Sequence, residues 1–290
     1  MSYLRPGTWR DALHARADHP GAVPIAGGTD LMPLINLAGY RPASLLDLSG
    51  VECLCDIQVR GPALRIGAGA ALTAVMARCH VDSPALARAA GMVGSTQIRN
   101  RATLGGNIGT ASPAGDCLPV LVAARAEIEV ESARARRTIP AREFFRGVKR
   151  TALAADELIS AIRLPRAQGP QCFGKVGARA GMVVAVCSFA LVLDGAKGRV
   201  GTGIGAAGPT PLAAEPAETY LVEELATGNR WSRCVPLPGG LVDRFAELVV
   251  DSAHPIDDLR ATADYRQHAL GVLARRALRR CWADHLRSFP

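Results

Sequence analysis

The chain has 290 residues, a formal net charge of +8, 49% apolar residues and only 4% aromatic ones. That length allows two ordinary domains with cores of Ala, Val, Leu and Ile. The arginines, densest at Arg134, Arg136 and Arg137 and at Arg275, Arg276, Arg279 and Arg280, have no stacking aromatics between them, which excludes a nucleic-acid tail; an anionic cofactor or an acidic partner face accounts for the charge.

Thr8 followed by Asp11 predicts a helix start, with Trp9, Ala12 and Leu13 on one face. Pro20-Gly21 ends that helix. Val23–Ala26 reads as a buried strand running into Gly27-Gly28-Thr29-Asp30, and Leu31–Leu37 as a helix with Pro33 in its first turn. Leu45–Leu48 and Ala63–Gly67 are expected strands. Ser83-Pro84 predicts a capped helix start. Gly94–Asp116 has little periodicity and many Gly, Asn, Thr and Ser residues, and reads as a long loop. Strands are expected at Glu127–Glu131 and Leu158–Leu164, a linker at Pro165–Pro170, and strands near Phe173–Val176, Val183–Leu193 and Val200–Ile204. A last helix is predicted from about Asp258, with Leu270, Leu273, Ala274, Ala277 and Leu278 as its apolar stripe. This order implies an α+β fold.

The first twenty residues carry charges rather than a signal-peptide core, and the apolar stretch around Met182–Leu193 is too short to span a bilayer. A soluble, cytoplasmic protein is expected. The eight cysteines (Cys53, Cys55, Cys79, Cys117, Cys172, Cys187, Cys234, Cys281) include no CxxC, and the six histidines lack ligand spacing, so neither a metal nor an iron–sulfur site is expected.

Two segments carry chemistry. In Ile25-Ala-Gly-Gly-Thr-Asp-Leu31, paired glycines between strand and helix let backbone approach a phosphate. In Gln97–Asp116, Thr103, Gly105, Gly106 and Asn107 supply pyrophosphate donors by backbone and side chain, and Asp116 suits ribityl or ribose hydroxyls. A purely structural turn and a surface loop are the competing readings. Gly203-Ile-Gly-Ala-Ala-Gly208 fits G-x-G-x-x-G literally, but Pro209 and Pro211 bar the helix that a dinucleotide fingerprint opens. A strand ending in a turn is expected there.

Ala26–Leu31 and Ile98–Asp116 resemble the two FAD-binding segments of the xanthine dehydrogenase/CO dehydrogenase flavoprotein family. The resemblance continues through Glu157–Pro165, Phe173–Arg179 and Arg260–Arg266. It implies an FAD-binding domain of the vanillyl-alcohol-oxidase type over 1–168, in two α/β subdomains (about 1–57 and 58–168). A C-terminal α/β domain of CO dehydrogenase flavoprotein type would follow over 169–290. It also implies site roles for non-covalent FAD. Val23, Pro24, Ile25, Ala26, Gly27, Gly28, Thr29, Asp30 and Leu31, with Thr103, Leu104, Gly105, Gly106 and Asn107, would hold the pyrophosphate. Thr110 and Asp116 would hold the ribityl chain, and Ile159 and Lys175 would line the isoalloxazine. Met182-Val183-Val184 stands where the CO dehydrogenase branch has an aromatic residue, which is closer to the xanthine dehydrogenase branch.

The function implied is electron transfer within a molybdenum hydroxylase. A molybdopterin large subunit and a [2Fe-2S] small subunit are the expected partners, in a dimer of heterotrimers, with NAD⁺ or another acceptor. No residue of this chain is expected to act as a catalytic acid or base. A self-contained FAD-dependent oxidoreductase and a non-catalytic scaffold are the alternatives.

Overall fold

The computed structural model describes residues 2–233 and 235–288, so Cys234 lies outside the described residues. The chain opens with β1 (Ser2–Leu4), α1 (Trp9–Asp18), β2 (Val23–Ile25), α2 (Leu31–Leu37) and β3 (Ser44–Asp47). Thr8 caps α1, its hydroxyl accepting from the Asp11 N–H at 3.1 Å, and Ala12 and Leu13 turn inward. The three strands form a small parallel sheet in the order β1-β3-β2.

A second unit follows: β4 (Ile57–Arg60), β5 (Ala63–Gly67), α3 (Leu72–Arg78), α4 (Pro84–Met92), α5 (Thr96–Arg101), α6 (Leu104–Thr110), α7 (Cys117–Ala123), β6 (Glu127–Glu131), β7 (Arg136–Pro140), α8 (Ala141–Phe144), β8 (Phe145–Gly147), β9 (Arg150–Thr151) and β10 (Leu158–Pro165). Its antiparallel sheet runs β4-β5-β10-β6-β7. Strand alternation explains the sheet's two faces: on β6, Ile128 and Val130 enter the core, while Glu127 and Glu129 pair with Arg163 and Arg65.

Two expectations fail here. Gly94–Asp116 is not a loop, because it folds into α5 and α6. Poor helix formers yield to tertiary contacts: Leu72 N–H bonds to Ala102 O at 2.9 Å and Leu104 N–H to Ala70 O at 3.0 Å, pinning the junction of the two helices. Ser83 stands at the start of α4, but its hydroxyl caps nothing and is buried without a hydrogen-bond partner.

The C-terminal unit comprises β11 (Gln171–Val176), β12 (Cys187–Asp194), β13 (Arg199–Gly205), α9 (Glu215–Thr227), α10 (Arg230–Arg233), α11 (Gly239–Asp251) and α12 (Ala263–Arg287). β12 starts at Cys187 rather than Val183. The last helix starts at Ala263 rather than Asp258, where the Thr262 hydroxyl accepts from the Tyr265 N–H at 3.2 Å. Of the predicted stripe, Leu270, Ala274 and Leu278 are fully buried, Ala277 nearly so and Leu273 partly.

The antiparallel sheet β11-β12-β13 is covered on both faces. Cys187, Phe189, Leu191 and Ile204 face α9, α11 and α12, whereas Phe173 and Ala190 join the core of the preceding unit. Glu218 of α9 locks the seam, accepting from Arg142 at 2.6 Å, from Arg125 at 3.3 Å, and from the Thr202 N–H and hydroxyl at 2.7 and 2.9 Å. The architecture is α+β. Among the described residues no helix is long and apolar enough to cross a membrane, and no cluster of three or more His, Cys, Asp or Glu is placed to hold a metal ion.

Candidate functional site

The first glycine segment leaves β2 and turns sharply before α2. Gly27 lies flat on the end of α5, where a Cβ would stand 1.8 Å from the Arg101 carbonyl oxygen. Gly28 adopts φ +74°, a region that side chains disfavour. The backbone N–H groups of Ala26, Gly27, Gly28, Thr29 and Asp30 have no hydrogen-bond partner among the described residues. Successive free donors in one turn form an anion cradle. Val23, Pro24 and Ile25 sit behind it in register with Leu45, Leu46 and Asp47, and Leu31 opens α2.

The second segment works differently from the sequence reading. Gly105 N–H bonds to Ala68 O at 2.8 Å, Gly106 N–H to the Thr103 hydroxyl at 3.0 Å, and Asn107 N–H to Thr103 O at 3.0 Å. Those backbone donors are committed within the protein, because the segment is a capped helix docked on the extension of β5. Leu104 and Gly105 are buried beneath it, with a Gly105 Cβ only 2.6 Å from Ala68. What α6 offers outward is Gly106 and Gly109, with Asn107 and Thr110 half-buried beside them and Thr103 buried at the cap. The side chains on this face are short, and the Asn107 Oδ1 is buried with no partner. A Cβ on Gly109 would lie 3.7 Å from Ile159, which brings that β10 residue to the same helix. Thr110 donates to Asp30 at 2.9 Å and so ties α6 to the first glycine turn.

Beyond α6, Asp116 meets Lys175 of β11. Lys175 Nζ donates to Asp116 Oδ2 at 2.6 Å, to Met92 O at 2.9 Å and to Val183 O at 3.0 Å. The two side chains are 7% and 5% exposed. Burial pushes the Asp116 carboxyl up to about 6, against the opposing pull of Lys175. The Asp116 Oδ1 is buried and has no partner. Sequence reasoning treated these residues as separate contacts; the structure makes them one ion pair, whose second oxygen is left to accept.

These pieces share a neighbour. α5 spans six residues, roughly 9 Å at about 1.5 Å per residue, from the Gly27 contact back to a cleft beside Lys175. That cleft holds about 370 Å³ and is lined by Met92, Gly94, Ser95, Thr96, Arg99 and Met182, among others. Arg99 closes its floor, donating to Val93 O at 3.2 Å and to Gly94 O at 2.9 Å. Of these lining residues only Met182 was singled out individually from sequence. The Ser95 cap on α5, its hydroxyl accepting from Ile98 N–H at 3.3 Å, is the one local signal that was available.

Residues 1–167 match the family model described as the FAD binding domain in molybdopterin dehydrogenase. Residues 173–281 match the CO dehydrogenase flavoprotein C-terminal domain. The chain is 30% identical to the nicotine 6-hydroxylase medium subunit of Paenarthrobacter nicotinovorans, over 96% of each chain. It is 29% identical to the carbon monoxide dehydrogenase medium chain of Hydrogenophaga pseudoflava, over 89% of this chain and 88% of that one. Among solved structures, a chain of carbon monoxide dehydrogenase from Hydrogenophaga pseudoflava superposes with a TM-score of 0.88 at 28% identity, covering 98% of each.

Proposed function

The chain belongs to the FAD-binding family of molybdopterin dehydrogenases, and on that premise we propose that it is the subunit that carries electrons from iron–sulfur clusters to NAD⁺ or another acceptor. It is an FAD-binding oxidoreductase subunit of the CO and xanthine dehydrogenase kind. Molybdopterin and [2Fe-2S] clusters belong to a large and a small partner subunit, in a dimer of heterotrimers in the cytoplasm. Residues 1–168 form the flavin domain and 169–290 the domain that closes it.

One observation carries this reading: two separate segments present matched, unsatisfied polar groups around a face of short side chains. The free N–H groups of Ala26–Asp30 suit pyrophosphate oxygens. The unpartnered oxygens of Asn107 and Asp116 suit sugar and ribityl hydroxyls, which donate. Gly106 and Gly109 are exposed and carry no side chain, so a ligand can lie against the helix backbone there. The residues therefore fit FAD. When bound, FAD would supply two-electron redox chemistry that is also accessible in one-electron steps.

The chain's own groups do the holding. Ala26–Asp30 and Thr103 bind the pyrophosphate, Thr110 and Asp116 orient the ribityl chain, and Ile159 excludes water. Lys175, held by Met92 O, Val183 O and Asp116, keeps a positive charge at the cleft. A fixed cation there favours a ring that gains negative charge on reduction.

Anaerobic bleaching of the visible flavin band tests the reading. The isolated chain should bleach with dithionite and not with a purine, aldehyde or heterocycle. With co-purified molybdenum and iron–sulfur partners, the organic substrate should bleach it. Substrate-driven bleaching by the isolated chain would refute the relay role, and a colourless purified protein would refute FAD binding.

A further inference from the structure

The glycine run of β13 that imitates a dinucleotide fingerprint has another use. The C-terminal sheet is ruled into rungs by its register: Lys175, Ser188 and Gly205 form one, Phe173, Ala190 and Gly203 the next, and Gly201 lies opposite Val192 on the third. Phe173 and Ala190 join the core of the preceding unit, so this face of the sheet looks toward α7. Here β13 presents no side chain. A Cβ on Gly203 would stand 1.8 Å from the Pro119 carbonyl oxygen, and one on Gly201 would stand 2.0 Å from that of Ala123. Gly205 lies at the same surface, its Cβ position 3.1 Å from the Pro119 ring and 2.4 Å from the Ser188 hydroxyl. α7 therefore rests directly on strand backbone.

One partner of the buried ion pair is carried by α7 and the other by β11, in the sheet on which α7 rests. Asp116 immediately precedes α7, and Lys175 shares its rung with Ser188 and Gly205. We infer that Gly203 and Gly205 are positioning residues: by letting α7 seat on β13, they set the gap across which Lys175 reaches Asp116. The inference rests on the FAD reading above, since the pair borders the proposed ribityl and ring positions. A methyl group at Gly203 must retreat by more than about 1 Å to regain ordinary contact distance of roughly 3.5 Å. A 2.6 Å ion pair stretched by that amount no longer meets hydrogen-bond geometry.

The test compares full-length Gly203→Ala with Gly201→Ala, measuring FAD affinity by fluorescence and the melting temperature of the FAD-free chain. Both variants collide with an α7 carbonyl, so both should melt lower. Gly201 presses on Ala123, at the end of α7 remote from Asp116. Gly203→Ala should weaken FAD binding at least about tenfold, and Gly201→Ala less than about threefold. In a Lys175→Met background the Gly203→Ala step should shrink below about threefold, because the positioned group is gone. Should Gly203→Ala fail to fold, Gly205→Ala combined with Ser188→Ala removes the nearest obstructing atom and leaves a methyl group against Pro119. It should then bind FAD about three- to tenfold more weakly than Ser188→Ala alone. Equal FAD losses in the two glycine variants, an undiminished step in the Lys175→Met background, or unchanged binding in the Ser188 pair would each overturn the positioning role. Absence of FAD binding by the wild-type chain would instead bring down the reading of the site itself.

Discussion

Replacing Lys175 with methionine removes the ammonium that faces Asp116 while keeping most of the side-chain volume. Three acceptors lose their donor at once: the Asp116 carboxylate, Met92 O and Val183 O. Removing one partner of a buried pair typically costs about 3–5 kcal/mol, because the other charge stays behind uncompensated. The cost must depend on pH, and the sign follows from the carboxyl. Burial raises Asp116 from 3.8 to about 6 in the folded chain. A group with a raised folded value contributes stability in full below its unfolded value and loses it as pH rises through the folded one. In the wild type, Lys175 limits that loss. In the methionine variant the opposing pull is gone, so the carboxyl titrates higher and the loss deepens. The expected destabilisation is therefore about 1–2 kcal/mol near pH 5, where the carboxyl is largely protonated and mainly carbonyl hydrogen bonds are lost, growing to about 3–5 kcal/mol near pH 8. Urea denaturation of the FAD-free chain at both pH values, with Lys175→Met, Asp116→Asn and the double variant, measures this. The double variant should recover about 1–3 kcal/mol relative to additivity at the higher pH. A pH-independent cost, or strict additivity, would refute the assignment of a charged, coupled pair.

Gly27→Ala should cost about 1–3 kcal/mol and empty the site of FAD, because its methyl group would meet the Arg101 carbonyl; calorimetry and flavin content check both effects. Gly105 and Gly106 should separate. A methyl on Gly105 strikes Ala68 and should lower the melting temperature markedly, whereas Gly106→Ala touches only the Thr103 hydroxyl and should reduce FAD affinity with stability changed by less than about 1 kcal/mol. Glu218→Ala removes the acceptor shared by Arg142, Arg125 and Thr202 at the seam and should cost about 1–3 kcal/mol in urea denaturation, with limited proteolysis releasing the C-terminal unit. Gly205→Ala should lower the melting temperature, since its Cβ would lie 2.4 Å from the Ser188 hydroxyl, and calorimetry of the FAD-free chain checks it.

The elements that were legible in sequence are those whose causes are local. Thr8 caps α1 from three residues away, and α12 repeats its apolar positions at helical spacing, so adjacent residues carried the whole signal. The first glycine turn was legible for the same reason: strand, paired glycines and helix follow one another along the chain. α5 and α6 were not, because Gly, Asn and Thr are weak helix formers, and what holds these helices is a set of bonds to Ala68, Ala70 and Leu72, thirty or more residues upstream.

By itself the sequence determined the α+β order of elements, the two glycine-bearing segments, and a resemblance that already implied FAD. Only the tertiary structure decided how those segments work. It committed the N–H groups of Gly105 and Gly106 to the protein while leaving those of Ala26–Asp30 free. It joined Asp116 to Lys175, 59 residues apart, into one buried pair. It also turned the glycines of β13 from an apparent fingerprint into the surface on which α7 rests. Periodicity and capping act over a few residues, whereas the partner of a buried charge and the neighbour of a bare strand are chosen by how sheets and helices stack, which no local pattern encodes.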